Sequence, residues 1–122
     1  MKSYRELVVW QRSFLLANRC YHVTGSFPKN QQFSLVSQIQ RAAVSIPSNI
    51  AEGYNRQSRK EYVQFLSIAF GSVAELETQL CIAREQGYIE SPTCDELLQL
   101  TTEISKMLRA LMSKLKSLPP KP

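Results

Sequence analysis

The chain is poor in the residue types on which most catalytic and metal sites depend. Its 122 residues include one histidine, three cysteines and four glycines. An odd number of cysteines without paired spacing argues against a disulfide framework and against a zinc site. No histidine follows a glutamate by three positions, as di-iron bundles require, and no glycine-rich phosphate loop is present. These absences predict a non-enzymatic protein that holds no cofactor and no metal.

Long apolar runs are also missing. No stretch approaches the roughly 18 uninterrupted apolar residues that suggest a membrane span. The N-terminus, MKSYRELVVWQR, meets charged residues too soon for a signal peptide. Free cysteines fit a reducing compartment, so we expect a cytoplasmic protein without a membrane partner. The length predicts one domain.

Helical periodicity fills the chain, and no segment has the alternation typical of a strand. Glycine and proline mark three short turns between four apolar seams. The predicted helices cover residues 4–24, 34–53, 59–86 and 92–117, in one domain over residues 1–118 with a frayed tail at 119–122. This pattern predicts an all-α, up-down-up-down four-helix bundle.

The first helix carries an apolar stripe and a basic stripe. Its predicted core seam consists of Leu7, Trp10, Phe14, Ala17 and Tyr21. Arg5, Arg12 and Arg19 recur every seven residues on the opposite face. They could form a solvated charged face or a stripe that contacts the phosphates of a polyanion. The absence of an interleaved acid slightly favours the second interpretation.

The second helix lies in the most unusual segment, Ser37–Arg56, with the sequence SQIQRAAVSIPSNIAEGYNR. Pro47 interrupts an amphipathic pattern rich in small residues, which predicts a kink and a closely packed neighbour. Asn49 and Glu52 form the best polar pair, interpreted mainly as a structural cluster and alternatively as a catalytic pair. The predicted structural or interface residues are Arg41, Ser45, Pro47, Asn49, Glu52, Gly53, Gly71 and Glu75.

Two of these residues belong to the third helix. Gly71 costs about 1 kcal/mol in mid-helix, so we expect the small face of the second helix to lie against it. Glu75 could form a partly buried ion pair with Arg41 across that contact. Alternatively, the glutamates of this helix are simply solvated. Additional apolar residues on the third helix predict more than one packing partner.

Charge is segregated along the chain, which has a net charge of +5. Residues 1–60 contain nine Lys or Arg and two acids. Residues 61–103 contain one Arg and eight acids, and residues 104–122 contain five Lys or Arg and no acid. Such segregation predicts distinct basic and acidic surfaces.

The blocks QIQRAAVSIPSNIAEGYNR and FLSIAFGSVAELETQL resemble a known family, over a region from Glu6 to about Tyr88. It is the family of small four-helix-bundle proteins encoded in intervening sequences of bacterial large-subunit ribosomal RNA genes. The accessory variability determinant proteins of diversity-generating retroelements are related to it. The resemblance implies a ring-like homo-oligomer, typically a pentamer, with no known catalytic activity. For the retroelement branch it also implies binding to nucleic acid and to a reverse transcriptase.

Two functions of different class remain open. The first is a homo-oligomeric accessory protein that binds RNA or DNA with little sequence selectivity. Its candidate contacts are Arg5, Arg12, Arg19, Lys106, Arg109, Lys114 and Lys116. The second is a structural or protein-interaction module that binds a partner protein or only itself, and its interface is the apolar excess of the third helix with the small face of the second. Base stacking is not expected, because only Tyr4, Tyr54 and Tyr88 are predicted to be exposed aromatic residues.

Overall fold

Four helices account for most of the chain in the computed structural model, which describes residues 2–120. They are α1 (Val8–Thr24), α2 (Leu35–Tyr54), α3 (Arg59–Glu85) and α4 (Ser91–Ser117). Short 3-10 turns precede α1 at Tyr4–Glu6 and α2 at Lys29–Gln31. No strand occurs in this part of the chain. Residues 121–122 of the predicted tail lie outside the described residues.

Each helix packs against two others, and neighbouring helices are antiparallel. α2 contacts α1 and α3, and α4 contacts α3 and α1. Arg12 and Arg19 of α1 approach Glu103 and Glu96 of α4 respectively, so residue numbers rise on one helix as they fall on the other. α2 and α3 also run in opposite directions, because Ser45 meets Ser72 whereas Gly53 lies against Phe65. The path of the chain is therefore up, down, up and down.

The helix ends use some of the expected capping groups. The Ser58 hydroxyl accepts a hydrogen bond from the Glu61 N–H at 3.0 Å, which satisfies a free donor in the first turn of α3. Glu90 occupies the cap position of α4 without a side-chain bond, and Ser91 is the first residue of the helix. Ser34 precedes α2, yet its hydroxyl bonds the Gln31 side chain instead of the helix.

The interior comes from one stripe of each helix. The buried stripe of α3 contains Leu66, Ala69, Val73, Leu76, Leu80 and Ala83. In α2, Pro47 is buried inside a helix that continues to Tyr54. Its ring leaves the carbonyl of Ala43 without the usual intrahelical donor.

The predicted seam of α1 is only partly confirmed. Ala17 is buried and Leu7 and Trp10 pack against the core, but the helix is rotated relative to the expectation. Phe14 and Tyr21 are 52% and 50% exposed, and Trp10 is half-buried. The buried residues of α1 are Val9, Ser13, Leu16, Ala17, Cys20 and Thr24. The Ser13 and Thr24 hydroxyls donate to the carbonyls of Val9 and Cys20, so burial leaves no unpaired donor.

α3 has more apolar surface than the interior uses. It is the one described helix that is long and apolar enough to cross a membrane by length and composition. Core helices of soluble proteins pass the same test, and only 39% of its most apolar window is buried. Ile68 and Ile82 are 52% and 47% exposed. Burial in this single chain therefore does not account for the apolar composition of α3.

Candidate nucleic-acid interface

Antiparallel packing converts the charge pattern along the chain into a difference between the two ends of the molecule. We define the basic end as residues 2–15, 45–71 and 105–120, which lie on one side of the helix midpoints. It contains ten Lys or Arg and three acids, whereas the other described half contains four Lys or Arg and seven acids. The net charges are +7 and −3, so the molecule has a strongly basic end and a weakly acidic end.

Most cations at the basic end have no carboxylate partner. Arg12 and Arg56 form ion pairs, and the other eight make none with a described residue. These eight are Lys2, Arg5, Arg59, Lys60, Lys106, Arg109, Lys114 and Lys116. Four of them lie in the second half of α4, where no acidic residue interrupts the run.

Neutral groups hold several of the eight in place, among them Arg59 and Arg109. The Arg59 guanidinium donates to the carbonyl oxygens of Leu115 at 3.4 Å and Pro119 at 2.9 Å, which joins the start of α3 to the end of α4. The Arg109 guanidinium lies over the Phe70 ring at 5.6 Å. Both contacts keep the positive charge, so they position the cations without neutralising them.

The arginine stripe of α1 is partly neutralised, because acidic residues of α4 form ion pairs with two of its three arginines. Arg12 Nε lies 3.0 Å from Glu103 Oε1 but makes no hydrogen bond there. Its Nη2 donates to Glu103 Oε2 at 3.2 Å. Arg19 approaches Glu96 at 4.0 Å. Only Arg5, which lies beside the Tyr4 ring, makes no ion pair with a described acid. These partners diminish the field that the stripe presents to a polyanion.

A polar cluster joins α2 to α3 near their midpoints. Asn49 Nδ2 donates to the Ser45 carbonyl at 2.7 Å and to the Ser45 hydroxyl at 2.9 Å. That hydroxyl lies 2.9 Å from the Ser72 hydroxyl. Three partly buried polar groups are therefore satisfied across the helix contact, which fixes the two helices relative to one another.

Glu52 takes no part in that cluster. Its carboxylate pairs with Arg56 at 2.9 Å, and Arg56 also approaches Glu61 at 3.5 Å. The Arg56 guanidinium lies 4.9 Å from the centre of the Phe65 ring. No hydrogen bond joins Asn49 to Glu52 in the described residues, and each side chain has other partners.

The close contact between α2 and α3 occurs at Gly53 and not at Gly71. A Cβ atom added to Gly53 would lie 2.8 Å from Phe65 Cβ and 3.2 Å from the Tyr62 carbonyl oxygen. Gly71 is exposed, and a Cβ atom there would meet nothing within 4 Å. The predicted packing of α2 on Gly71 is therefore wrong. Nor do Arg41 and Glu75 form the suggested ion pair, since both are exposed and make none with a described residue.

Exposed aromatic rings also differ from the expectation. Tyr4, Tyr54 and Tyr88 are half-buried, whereas Phe14 and Tyr21 are half-exposed and Phe33 is 95% exposed. The sequence argument against base stacking used the wrong set of rings. Phe14 lies within the basic end, whereas Tyr21 and Phe33 lie in the other half of the molecule.

The titratable groups with clearly shifted pKa values do not form a catalytic arrangement. Burial raises the pKa of the Cys20 thiol to about 12 and also raises the pKa of the Cys94 thiol. Desolvation, followed by the charge of Tyr54, raises the pKa of Tyr62. Buried thiols of this kind are unreactive. Within residues 2–120, no group of three or more His, Cys, Asp or Glu side chains could hold a metal ion.

Fold and surface together define a small all-helical protein whose most prominent surface feature is a basic end. Its described residues contain no arrangement that indicates a reaction. Comparison with known proteins specifies the family.

The chain belongs to the family described as 23S rRNA-intervening sequence protein, whose sequence profile matches residues 5–110. The match extends well beyond Tyr88, where the recognisable motifs ended. It therefore includes Lys106 and Arg109, whereas Lys114 and Lys116 lie outside it. The family description states no enzymatic activity.

A solved structure shows the same fold. It is a crystal structure from Bacteroides thetaiotaomicron VPI-5482, described as a protein with unknown function from the S23 ribosomal protein family. Sequence identity is 29%, the TM-score is 0.78, and the similarity covers 86% of this chain and 98% of that one. No curated protein matches the sequence significantly.

Proposed function

We propose that the protein is a non-catalytic, homo-oligomeric accessory protein that binds the phosphate backbone of RNA or DNA through its basic end. The observation that supports this proposal most directly is the group of eight cations without carboxylate partners. Contacts of Lys and Arg with phosphate release condensed counterions and carry little sequence information. Binding should therefore be strongly dependent on salt and weakly dependent on sequence.

The principal contacts are assigned to Arg5, Lys106, Arg109, Lys114 and Lys116. Arg5 and the last turns of α4 lie at the same end of the molecule. Arg12 and Arg19 contribute less, because Glu103 and Glu96 already face them. Self-association, as a pentamer in the arrangement that the family resemblance implies, would multiply the positive charge available to one polyanion.

The test compares two variants that lose the same charge at opposite ends. Lys114→Gln/Lys116→Gln removes two positive charges from the basic end, and Arg19→Gln/Lys29→Gln removes two from the acidic end. Fluorescence anisotropy measures binding of a labelled RNA hairpin and a matched DNA duplex over a range of salt concentrations. Each lost phosphate contact lowers the slope of log affinity against log salt by about 0.7 to 0.9.

We expect the first variant to lose affinity and salt dependence and the second to resemble the wild type. Equal losses in both variants would contradict the assignment to the basic end and favour the arginine stripe of α1. Absence of wild-type binding at low salt would refute the nucleic-acid proposal altogether.

Exposed apolar residues support the second candidate, a protein-interaction module. Phe14, Tyr21, Ile68 and Ile82 each have about half of their surface exposed, and the two residues on each helix share a face by their spacing. In this case the basic residues serve solubility. A protein partner such as a reverse transcriptase, implied for the retroelement branch of the resemblance, stays a prediction.

A further inference from the structure

A cleft with aliphatic walls lies between the start of α3 and the end of α4. Its volume is about 470 Å³, which lies within the range of about 300 to 1,000 Å³ found for ligand sites. Val63 of α3 and Leu115 of α4 line it and are half-buried. Leu118 is 45% exposed, and Pro120 is also exposed. The walls therefore form an apolar surface that the fold leaves uncovered.

Three cations surround this apolar surface. Arg59, Lys60 and Lys116 line the cleft, and no acidic residue does so among the described residues. None of the three forms an ion pair with a described acid. Glu61, the acid next to Lys60 in the sequence, lies 3.5 Å from Arg56 instead. The cleft combines uncompensated positive charge with apolar walls, so its complementary occupant is both anionic and apolar.

Arg59 makes the cleft a fixed feature of the fold. Its guanidinium donates to the carbonyl oxygens of Leu115 at 3.4 Å and Pro119 at 2.9 Å. These bonds hold the segment that carries Leu118 and Pro120 against the first turn of α3. A guanidinium has five N–H donors, and these two bonds use two of them. The remaining donors can bind a carboxylate while the segment stays in place.

The chemistry and the shape of the cleft distinguish between its possible occupants. No aromatic ring lines its described part, so an unpaired nucleobase has no ring to stack on, and contacts with phosphates alone would leave the apolar walls unused. Lys60, Gln64 and Lys116 are exposed along the cleft, which is therefore open, whereas sites for small molecules bury most of the ligand. A segment of another protein with an apolar side chain between carboxylates matches both the walls and the charge.

We propose that this cleft binds an acidic segment of a partner protein. An apolar side chain of the segment lies against Val63 and Leu118, and its carboxylates contact Arg59, Lys60 and Lys116. The inference goes beyond the proposed function and does not rest on it. Lys116 belongs to both sites, so an acidic segment and a nucleic acid compete for that residue.

A panel of labelled heptapeptides tests the assignment. Each peptide has three glutamates on either side of a central serine, alanine, leucine, isoleucine, phenylalanine or tryptophan, so the charge is constant and only the apolar surface changes. Fluorescence anisotropy at two salt concentrations gives the affinity of the full chain for each peptide. Leu118→Gln removes part of an apolar wall, and Lys60→Gln removes one cation. Phe33→Gln and Lys29→Gln are the controls, because they make comparable changes in the other half of the molecule.

At least one peptide with a large apolar centre should bind the wild type about tenfold more tightly than the serine peptide, because burial of one such side chain has an effect of this size. Leu118→Gln should lose most of this preference. Lys60→Gln should weaken the binding of every peptide and lower its salt dependence. Both controls should resemble the wild type. Helicity by circular dichroism should be unchanged in all four variants, since Lys60 and Leu118 are exposed.

Equal binding of all six peptides would overturn the inference, because the cleft would then act through charge alone. Equal loss of the apolar preference in Leu118→Gln and Phe33→Gln would also overturn it. The RNA hairpin assay on the same samples separates this site from the proposed function. Leu118→Gln should bind RNA like the wild type, since it removes no phosphate contact, and an equal loss of RNA and peptide affinity would assign the cleft to the nucleic acid instead. Peptide binding without RNA binding would refute the proposed function and support the cleft.

Discussion

Replacing Gly53 with alanine tests how closely α2 and α3 pack. The added methyl group would lie 2.8 Å from Phe65 Cβ and 3.1 Å from Tyr62 Cδ1. It would also lie 3.2 Å from the Tyr62 carbonyl oxygen. Phe65 Cβ and the carbonyl are fixed to the α3 backbone, so no side-chain rotation relieves these contacts. The helices must move apart, which also disturbs the Ser45–Ser72 contact nearby.

The expected loss of stability follows from two opposing terms. Overpacking of this kind costs about 1 to 3 kcal/mol. Alanine gains up to about 1 kcal/mol over glycine in a helix interior, and less at position 53, which is close to the end of α2. We therefore expect Gly53→Ala to lower the free energy of unfolding by about 1 to 2 kcal/mol. For a chain of this size, the melting temperature should fall by about 5 °C.

Gly71→Ala is a matched control, since the same methyl group is added to another helical glycine. It meets nothing within 4 Å, so helix propensity alone should act and stability should rise by up to about 1 kcal/mol. Urea unfolding followed by circular dichroism, at a protein concentration where both variants have the same mass, gives the two values. Gly53→Ala unfolding at the wild-type midpoint, or both variants losing stability equally, would refute the packing argument.

Two further predictions concern an ion pair and the thiols. Arg12→Glu should lower the free energy of unfolding, because the new carboxylate faces Glu103. The exchange Arg12→Glu/Glu103→Arg should recover part of the loss. A double-mutant cycle should give a coupling energy of about 0.2 to 1 kcal/mol, as for other exposed ion pairs. Zero coupling would show that the pair does not contribute. In the native protein, a thiol reagent should modify exposed Cys81 quickly and buried Cys20 only after unfolding. Because burial raises the pKa of Cys20 from about 9 to about 12, its contribution to stability is complete below pH 9 and falls as the pH rises to 12. Urea unfolding midpoints at pH 7 and pH 10 should show this fall, and a Cys20→Ala variant should show less of it. Fast modification of Cys20 in the native protein would contradict its burial.

Periodicity was a sufficient guide where one apolar stripe recurs along the whole length of a helix. In α3, residues such as Leu66, Val73 and Leu80 recur with bundle spacing, and all three are fully buried. α1 has two apolar stripes. The stripe with the larger rings, including Phe14 and Tyr21, was taken for the core, whereas packing buries the other one. Hydrophobicity of a single helix cannot decide between two such stripes, because the choice depends on which one fits the neighbouring helices.

In the candidate site, too, the sequence revealed the pattern along each helix but not the contacts between helices. The sequence revealed a basic stripe on α1, but it could not show that Glu96 and Glu103 of α4 would lie opposite Arg19 and Arg12. These residues are more than 75 positions apart in the chain. Likewise, Gly71 was expected at the helix contact because mid-helix glycine often permits close packing. The structure places Gly53 there instead.

The sequence alone determined the helical class, the four apolar repeats and the segregation of charge along the chain, because each depends on neighbouring residues. Tertiary structure decided which stripe of α1 is buried, which arginines are paired and which glycine lies at a helix contact, because each depends on residues far apart in sequence. It also decided where the charge lies. Antiparallel packing places the second half of α4 beside the starts of α1 and α3, and this arrangement creates the basic end.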